Sequence, residues 1–273
     1  MKKIFIFLFF FISISSADIL FQKIENFMEK KQFQTHNKLI HSLFRNKNEF
    51  YKSSGQIDYI LLLETLKKKG FLNLKLHKPN DLNVEFNTNA DTIKSFKILN
   101  KILKEMGYSY YFTKSINFDK TLGILSWKIA FKGEYMIDPF FLAKELEKQY
   151  CYIVDIEKVN NKYWKYTIDV NNSKIIEAIK IANNERVVLR KPLRPYFLEV
   201  GKSTKLNVSG RILNHWFPYI AFYDNHLNLL KSIKEKRIHR VYHTNIPLGT
   251  KYIKISDLYT LINIKRGLSV VVK

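Results

Sequence analysis

The stretch YWKYTIDVNNSK, residues 163–174, reads as one strand ending in a polar turn. Part of it is written once before, as SWKIAF at residues 126–131. Whether these are copies of one module decides how the middle of the chain folds. Upstream of each lies an apolar stripe at helical spacing: Phe96, Leu99, Ile102 and Leu103 in one case, Phe140, Ala143 and Leu146 in the other. A third stripe, Tyr59, Leu62, Leu63 and Leu66, precedes FLNLKL (residues 71–76), the turn PND and LNVEF (residues 82–86). Alternating apolar and polar residues are strand chemistry. Basic residues followed by glycine stop a helix, as in KKKG ending at Gly70 and KEMG ending at Gly107.

The unit is therefore helix, strand, turn, strand. Aligning three copies places Gly70, Gly107 and Cys151 at one corner, with Phe71, Tyr108 and Tyr152 opening each first strand. Lys67, Lys104 and Lys148 stand three residues before the corner, and Trp127 matches Trp164 in the second strands. One helix on one hairpin is too small to be stable, whereas neighbouring units can share a core. The alignment predicts strands at residues 108–112, 126–131, 152–156 and 164–170, and a closing helix over residues 173–182 capped by Ser173.

On either side the text changes. Residues 18–50 carry Ile19, Leu20, Ile24, Phe27 and Met28, then Leu39, Ile40, Leu43 and Phe44, which predicts two short amphipathic helices. Beyond residue 184, short strands are expected at RVVLR, YFLEV, TKLNVSG, YIAFYD, LNLLKSI, RIHRVYH, TKYIKIS and LSVVVK, with turn residues such as Gly201, Asp224 and Gly249 between them. Strands at this interval predict a compact β-sandwich, with a small barrel as the alternative. The fold class is thus α+β: short N-terminal helices, α-β-β modules, then an all-β sandwich. The expected boundaries are a signal peptide at 1–17, a helical segment at 18–54, three α-β-β units with the closing helix at 55–185, and the sandwich at 186–273.

The start of the chain sets the expected compartment. Lys2 and Lys3 precede an apolar run over residues 4–14, and Ser15 and Ala17 are the small residues of a cleavage site. The run is shorter than the roughly 20 residues of a membrane span, and no later segment is longer. Export to the periplasm is expected, with no transmembrane segment in the mature chain. The single cysteine, Cys151, cannot close an internal disulfide, and its apolar surroundings YCYIVDI favour a buried thiol.

Lys and Arg number 46 against 24 Asp and Glu, a formal charge of +22. The lysines are scattered among Asn, Ile, Phe and Tyr, as in proteins of AT-rich genomes. No nucleic-acid partner is expected; envelope proteins, and peptidoglycan or another glycan, are the expected partners outside the cytoplasm.

No nucleophile elbow, zinc-protease helix, Walker loop or dinucleotide turn is present, so the chain is read as non-enzymatic, without cofactor or metal. His239 and His243 lie four apart in an alternating stretch, too far apart along a strand to share an ion. Trp216, Phe217 and Tyr219, with Arg237 and Arg240, form the candidate interaction surface; exposed aromatics there would stack on sugar rings. DVNNS, residues 169–173, matches the extended bacterial N-glycosylation pattern and makes Asn171 the candidate acceptor.

Leader, composition and sequon together resemble periplasmic proteins of AT-rich, Campylobacter-type bacteria. The α-β-β units resemble the small modules that build periplasmic rings and spokes of secretion systems and flagellar motors. That resemblance implies a scaffold or adaptor in a cell-envelope assembly, with the flagellar motor as a candidate, and transfers no functional residue. The alternative is a glycan- or peptidoglycan-binding protein acting through its sandwich.

Overall fold

A computed structural model describes residues 16–89 and 92–273. The leader expected over residues 1–17 lies outside the described residues except for Ser16 and Ala17, at the start of the first helix. The described residues form six α-helices and fourteen strands in three sheets, an α+β fold that is mostly β. They divide into two compact units. Among the described residues, the first takes 16–89, 102–147 and 151–170; the second takes 92–101, 148–150 and 171–273. No helix among the described residues is long and apolar enough to cross a membrane.

The first unit opens with three short helices, α1 (Ser16–Phe27), α2 (Lys30–Thr35) and α3 (Asn37–Leu43), where two were expected. Leu20, Ile24, Phe27, Ile40 and Phe44 are buried, as their spacing requires, while Ile19 and Leu39 are exposed. Helix α4 (Tyr59–Lys68) is capped by Asp58, whose carboxylate accepts from the N–H groups of Ile60 and Leu61, each at 3.1 Å. It buries Tyr59, Leu62, Leu63 and Leu66, the predicted stripe.

The five-stranded sheet of this unit runs β2 (Phe112–Asp119), β3 (Ile124–Tyr135), β1 (Lys75–Asn89), β5 (Tyr163–Asp169), β4 (Tyr152–Asn160). Strand β1 is central: antiparallel to β3 and parallel to β5. Trp127 of β3 stands opposite Phe86 and Trp164 of β5 opposite Val84, so the two tryptophans of the opening comparison bury on one face of one sheet. Phe86 lies 5.8 Å from both Trp127 and Tyr166.

Copy by copy, the module is uneven. The third, α6 (Pro139–Lys148) with β4 and β5, has the expected form. In the second, α5 (Thr92–Glu105) is present, but its first strand begins at Phe112, not Tyr108. In the first, FLNLKL and LNVEF do not make a hairpin. Only Lys75 and Leu76 of the first stretch join LNVEF in the single strand β1, and the PND segment is absorbed where its register with β3 shifts between Lys75 and Asn80.

The corner also moves by one residue. Gly70 and Gly107 adopt φ of +71° and +91°, but the third left-handed residue is Tyr150, at φ +58°, not Cys151. The N–H groups of Phe71, Tyr108 and Cys151 donate to the carbonyls of Leu66, Leu103 and Leu146 at 2.8, 2.8 and 3.0 Å. These are three copies of the long bond that closes a helix end. The equivalent residues are thus Gly70, Gly107 and Tyr150, followed by Phe71, Tyr108 and Cys151. Glu147, not Lys148, is the counterpart of Lys67 and Lys104. A tyrosine in the left-handed region hid the frame, because glycine is what usually marks it.

The second unit is a sandwich. One sheet runs β11 (Leu229–Lys234), β10 (Pro218–Tyr223), β13 (Tyr252–Asp257), β8 (Tyr196–Val200), β6 (Ile179–Ile181). The other runs β12 (Val241–Asn245), β9 (Lys205–Gly210), β14 (Leu268–Val272), β7 (Arg186–Leu189). Alternate residues, among them Leu198, Ile220, Phe222, Ile253, Ile255 and Val270, form the core. The eight predicted stretches each contain a strand; RIHRVYH contributes only its last three residues.

The closing helix expected over residues 173–182 does not form. Its last residues are β6, which pairs in parallel with β8, so the segment belongs to the sandwich. Ile175, Ile176, Ile179 and Ile181 are β-branched and favour extended backbone. Ile175 is buried against Tyr252 and Leu227, a tertiary contact that a helix at this spacing would not make.

Candidate functional site

The inward residues of β8, β13 and β10 fill the sandwich core, so their alternates face the other side of the five-stranded sheet. In most sandwiches that side is polar. Here it carries Phe197, Tyr223 and Tyr252, with Lys254 opposite Phe197 in the β8–β13 register. The Phe197 ring stacks on Tyr252 at 5.2 Å and lies 6.3 Å from Tyr223. Ile175 and Leu227 pack with them in a second, smaller apolar cluster.

Around this cluster opens a groove of about 810 Å³. Small-molecule sites commonly span roughly 300–1,000 Å³. Three segments of the second unit complete its walls: the start of α5 with Ile93 and Lys97, residues 175–179, and the loop 190–195 that leads into β8. Apolar side chains stand exposed at its mouth, with Leu193 at 93% and Ile93 at 51%. The loop is tied by Tyr196, whose hydroxyl donates to the Arg190 carbonyl at 2.5 Å. Burial pushes the Tyr196 hydroxyl up to about 12, with Arg211 opposing.

Five cations line the groove: Lys97, Arg190, Lys191, Arg194 and Lys254. Its one carboxylate, Glu177, is ion-paired with Lys101. None of the five forms an ion pair among the described residues. Lys97 is an exposed residue, but its ammonium sits 3.5 Å from the centroid of Phe197, over the ring face. Desolvation there lowers its pKa; Glu177 opposes, while Lys254 and Arg194 lower it further. The arrangement offers an apolar floor with clustered positive charge above it.

A second surface belongs to the first unit. Strand β2 is the edge of its sheet, and all eight of its residues are exposed. Phe112 is 78% exposed, Ile116 52% and Phe118 48%. Ile116 and Phe118 stand opposite Trp127 and Leu125 of β3, so the apolar face that buries Trp127 continues past its cover onto an open edge; Phe112, opposite Ala130 beyond a register shift, faces the other side. At the other edge, β4 has α1 against it: Lys23 reaches Asp155 at 2.5 Å and the Ile156 carbonyl at 3.5 Å.

The residues singled out in the sequence do not converge on the groove. Trp216 is fully buried, and its indole N–H donates to the Ser256 carbonyl at 2.9 Å. It belongs to the core and not to an interaction surface, because its position alternates inward with Ile220 and Phe222. Phe217 and Tyr219 are half-buried; Phe217 meets Tyr259 edge-on, and Tyr219 lies between Lys234 and Lys254. Arg237 and Arg240 are exposed in the link between β11 and β12. Asn171 is exposed in the turn after β5. Cys151 is buried.

A scan against protein-family models finds no match for the chain, and a search of curated proteins finds none either.

Proposed function

We propose that the chain is an exported, non-catalytic adaptor of the periplasm that joins a larger cell-envelope assembly. The flagellar motor is the candidate, on the resemblance of the α-β-β units to modules of such machines. The observation that carries the reading is β2: an edge strand with unpaired backbone on one side, Ile116 and Phe118 exposed on one face and Phe112 exposed on the other. Soluble proteins ordinarily blunt such an edge with charge, proline, a bulge or a cover; β2 has Lys114 in a register irregularity between Thr113 and Ser115, which leaves the stretch with Ile116 and Phe118 beyond it open. An exposed edge with apolar alternates is the form that strand addition uses: the backbone supplies affinity and the alternate side chains supply selectivity. The occupant is a strand of a partner envelope protein. The glycan-binding reading loses the central ring of its platform, since Trp216 lies in the core.

The test is a crosslinked pull-down of tagged protein from intact cells, comparing the wild type with the double variant Ile116→Asp, Phe118→Asp. Envelope proteins captured in fixed ratio, crosslinked to residues 112–119 and lost in the variant, support the adaptor. Capture unchanged by the variant, a second copy of this chain as the sole crosslinked species, or wall fragments without protein would each overturn it.

A further inference from the structure

The groove of the second unit has chemistry that the adaptor reading does not use. Its floor is aromatic and aliphatic: Phe197, Tyr223, Ile175 and Leu227. Its cations outnumber its carboxylate five to one, and that carboxylate is engaged by Lys101. A purely apolar ligand would leave these charges unanswered. A small inorganic anion would leave the floor wet. A neutral sugar would also leave most of the cations unanswered, since Lys and Arg only donate and the groove's acceptors are few.

We propose that the groove binds one anionic amphiphile: an acyl chain lying on Phe197, Tyr223 and Ile175, its carboxylate or phosphate held among Lys97, Arg194 and Lys254. Lys254 and Phe197 are neighbours across the β13–β8 ladder, so head and chain sites share one rigid sheet. Arg194 sits on the loop that the Tyr196 hydroxyl ties back to Arg190 at 2.5 Å. The guanidinium is thus presented from an anchored segment, and its planar fork suits either oxyanion. Lys97 is held over the Phe197 ring at 3.5 Å, at the junction of charge and floor. An anion there meets Lys97 where Lys254 and Arg194 already press on it, and relief of that repulsion favours binding. A free fatty acid and a membrane phospholipid offer the same chemistry.

The experiment is isothermal titration of the protein, purified in its exported form and delipidated, with four probes below their micelle concentrations. These are oleate, 1-oleoyl-lysophosphatidylglycerol, 1-oleoyl-lysophosphatidylcholine and inorganic phosphate. One-to-one binding of an anionic lipid, at least tenfold tighter than the zwitterionic lipid of the same chain, is expected, with no detectable phosphate binding. Oleate as the tighter anion identifies a free acid; the lysophosphatidylglycerol identifies a membrane lipid. The double variant Lys97→Met, Arg194→Gln should lose at least tenfold for the anion while keeping its thermal midpoint. Ile179→Trp, which adds bulk at the groove wall, should weaken both lipids alike. Equal affinity for anionic and zwitterionic lipid, phosphate binding as tight as lipid, no binding of any probe, or full affinity in the double variant would each overturn the assignment. None of these outcomes depends on β2, so the groove and the adaptor reading fail separately.

Discussion

Gly267 offers the sharpest test of the sandwich. It adopts φ +86° at the entry to β14, and a β-carbon there would fall 2.0 Å from the Leu189 carbonyl oxygen and 3.1 Å from its carbon. Leu268 pairs with Leu189, so the overlap acts directly on the β7–β14 ladder. Gly249 is the control: its φ is +81°, and nothing lies within 4 Å of the same construction. A left-handed backbone costs an L-residue roughly 1–2 kcal/mol, and Gly249→Ala should cost that alone. Gly267→Ala adds a clash that no side-chain rotation relieves, because the neighbour is backbone. Strand β7 must move away, which uncovers Leu189, 2% exposed in the native fold. Exposing a buried leucine costs about 1.5–3 kcal/mol, and each ladder bond lost costs about 1 kcal/mol. The expected loss is therefore roughly 4–6 kcal/mol for Gly267→Ala. Urea unfolding of both variants measures the difference, and hydrogen exchange of peptides spanning residues 186–189 and 268–272 locates it. Equal losses, or unchanged protection of those peptides in Gly267→Ala, would refute the placement of β14 beside β7.

Three further outcomes follow from the same geometry. The Tyr196 hydroxyl rises from the usual 10.0 to about 12 in the fold, so the stability it contributes is full below about pH 10 and lost as pH rises from 10 to 12; Tyr196→Phe should flatten part of the alkaline limb of a pH–stability curve and leave the neutral region's slope unchanged. Tyr59, 3% exposed, donates to Asp155 at 2.8 Å and accepts from the buried Ile156 N–H at 3.4 Å; Asp155 keeps Lys23 when the hydroxyl is removed but Ile156 loses its acceptor, so Tyr59→Phe should cost about 1–3 kcal/mol in urea unfolding. Lys97 has a lowered pKa from desolvation, opposed by Glu177 and reinforced by Lys254 and Arg194, so an anion in the groove should raise it again; affinity should fall as pH climbs toward the ordinary lysine value of 10.5, with proton uptake on binding, and a flat affinity profile in Lys97→Met checks the assignment.

The sandwich was legible because its strands alternate cleanly and Gly or Asp breaks them; YFLEV, YIAFYD and TKYIKIS each carry a strand at the expected place. The repeat was legible in its tryptophans and its glycine corners, and illegible where Tyr150 took the glycine's role. Residues 173–182 misled because isoleucines at positions 175 and 179 satisfy a helical stripe, while parallel pairing of Ile179–Ile181 with β8 is a long-range contact that no local pattern encodes. The edge β2 was hidden for a different reason. Its apolar alternates look like a half-buried strand, and only the sheet order places it last. For the groove a signal did exist: Phe197, Tyr223 and Tyr252 fall on the outward phase of their strands, where alternation calls for polar residues. Its cations gave no such sign, since they come from positions 97, 190–194 and 254.

The chain's surplus of positive charge does not account for that cluster. Across the sequence 46 basic residues face 24 acidic ones, about two to one. At that ratio, five cations would bring two or three carboxylates, and solvated lysines would be spaced to avoid one another. The groove has one carboxylate, already engaged by Lys101, and three of its cations lie near enough for two to depress the third. A biased genome adds lysines where water can solvate them. Lysines lie over aromatic rings elsewhere in the fold, Lys67 at 3.9 Å from Phe141 and Lys128 at 4.0 Å from Tyr163; what marks Lys97, 3.5 Å from Phe197, is that Lys254 and Arg194 act on the same ammonium. A bound anion would relieve the repulsion that Lys254 and Arg194 exert on Lys97, and one carrying an apolar chain would also cover Phe197 and Tyr223, which is the ligand we propose.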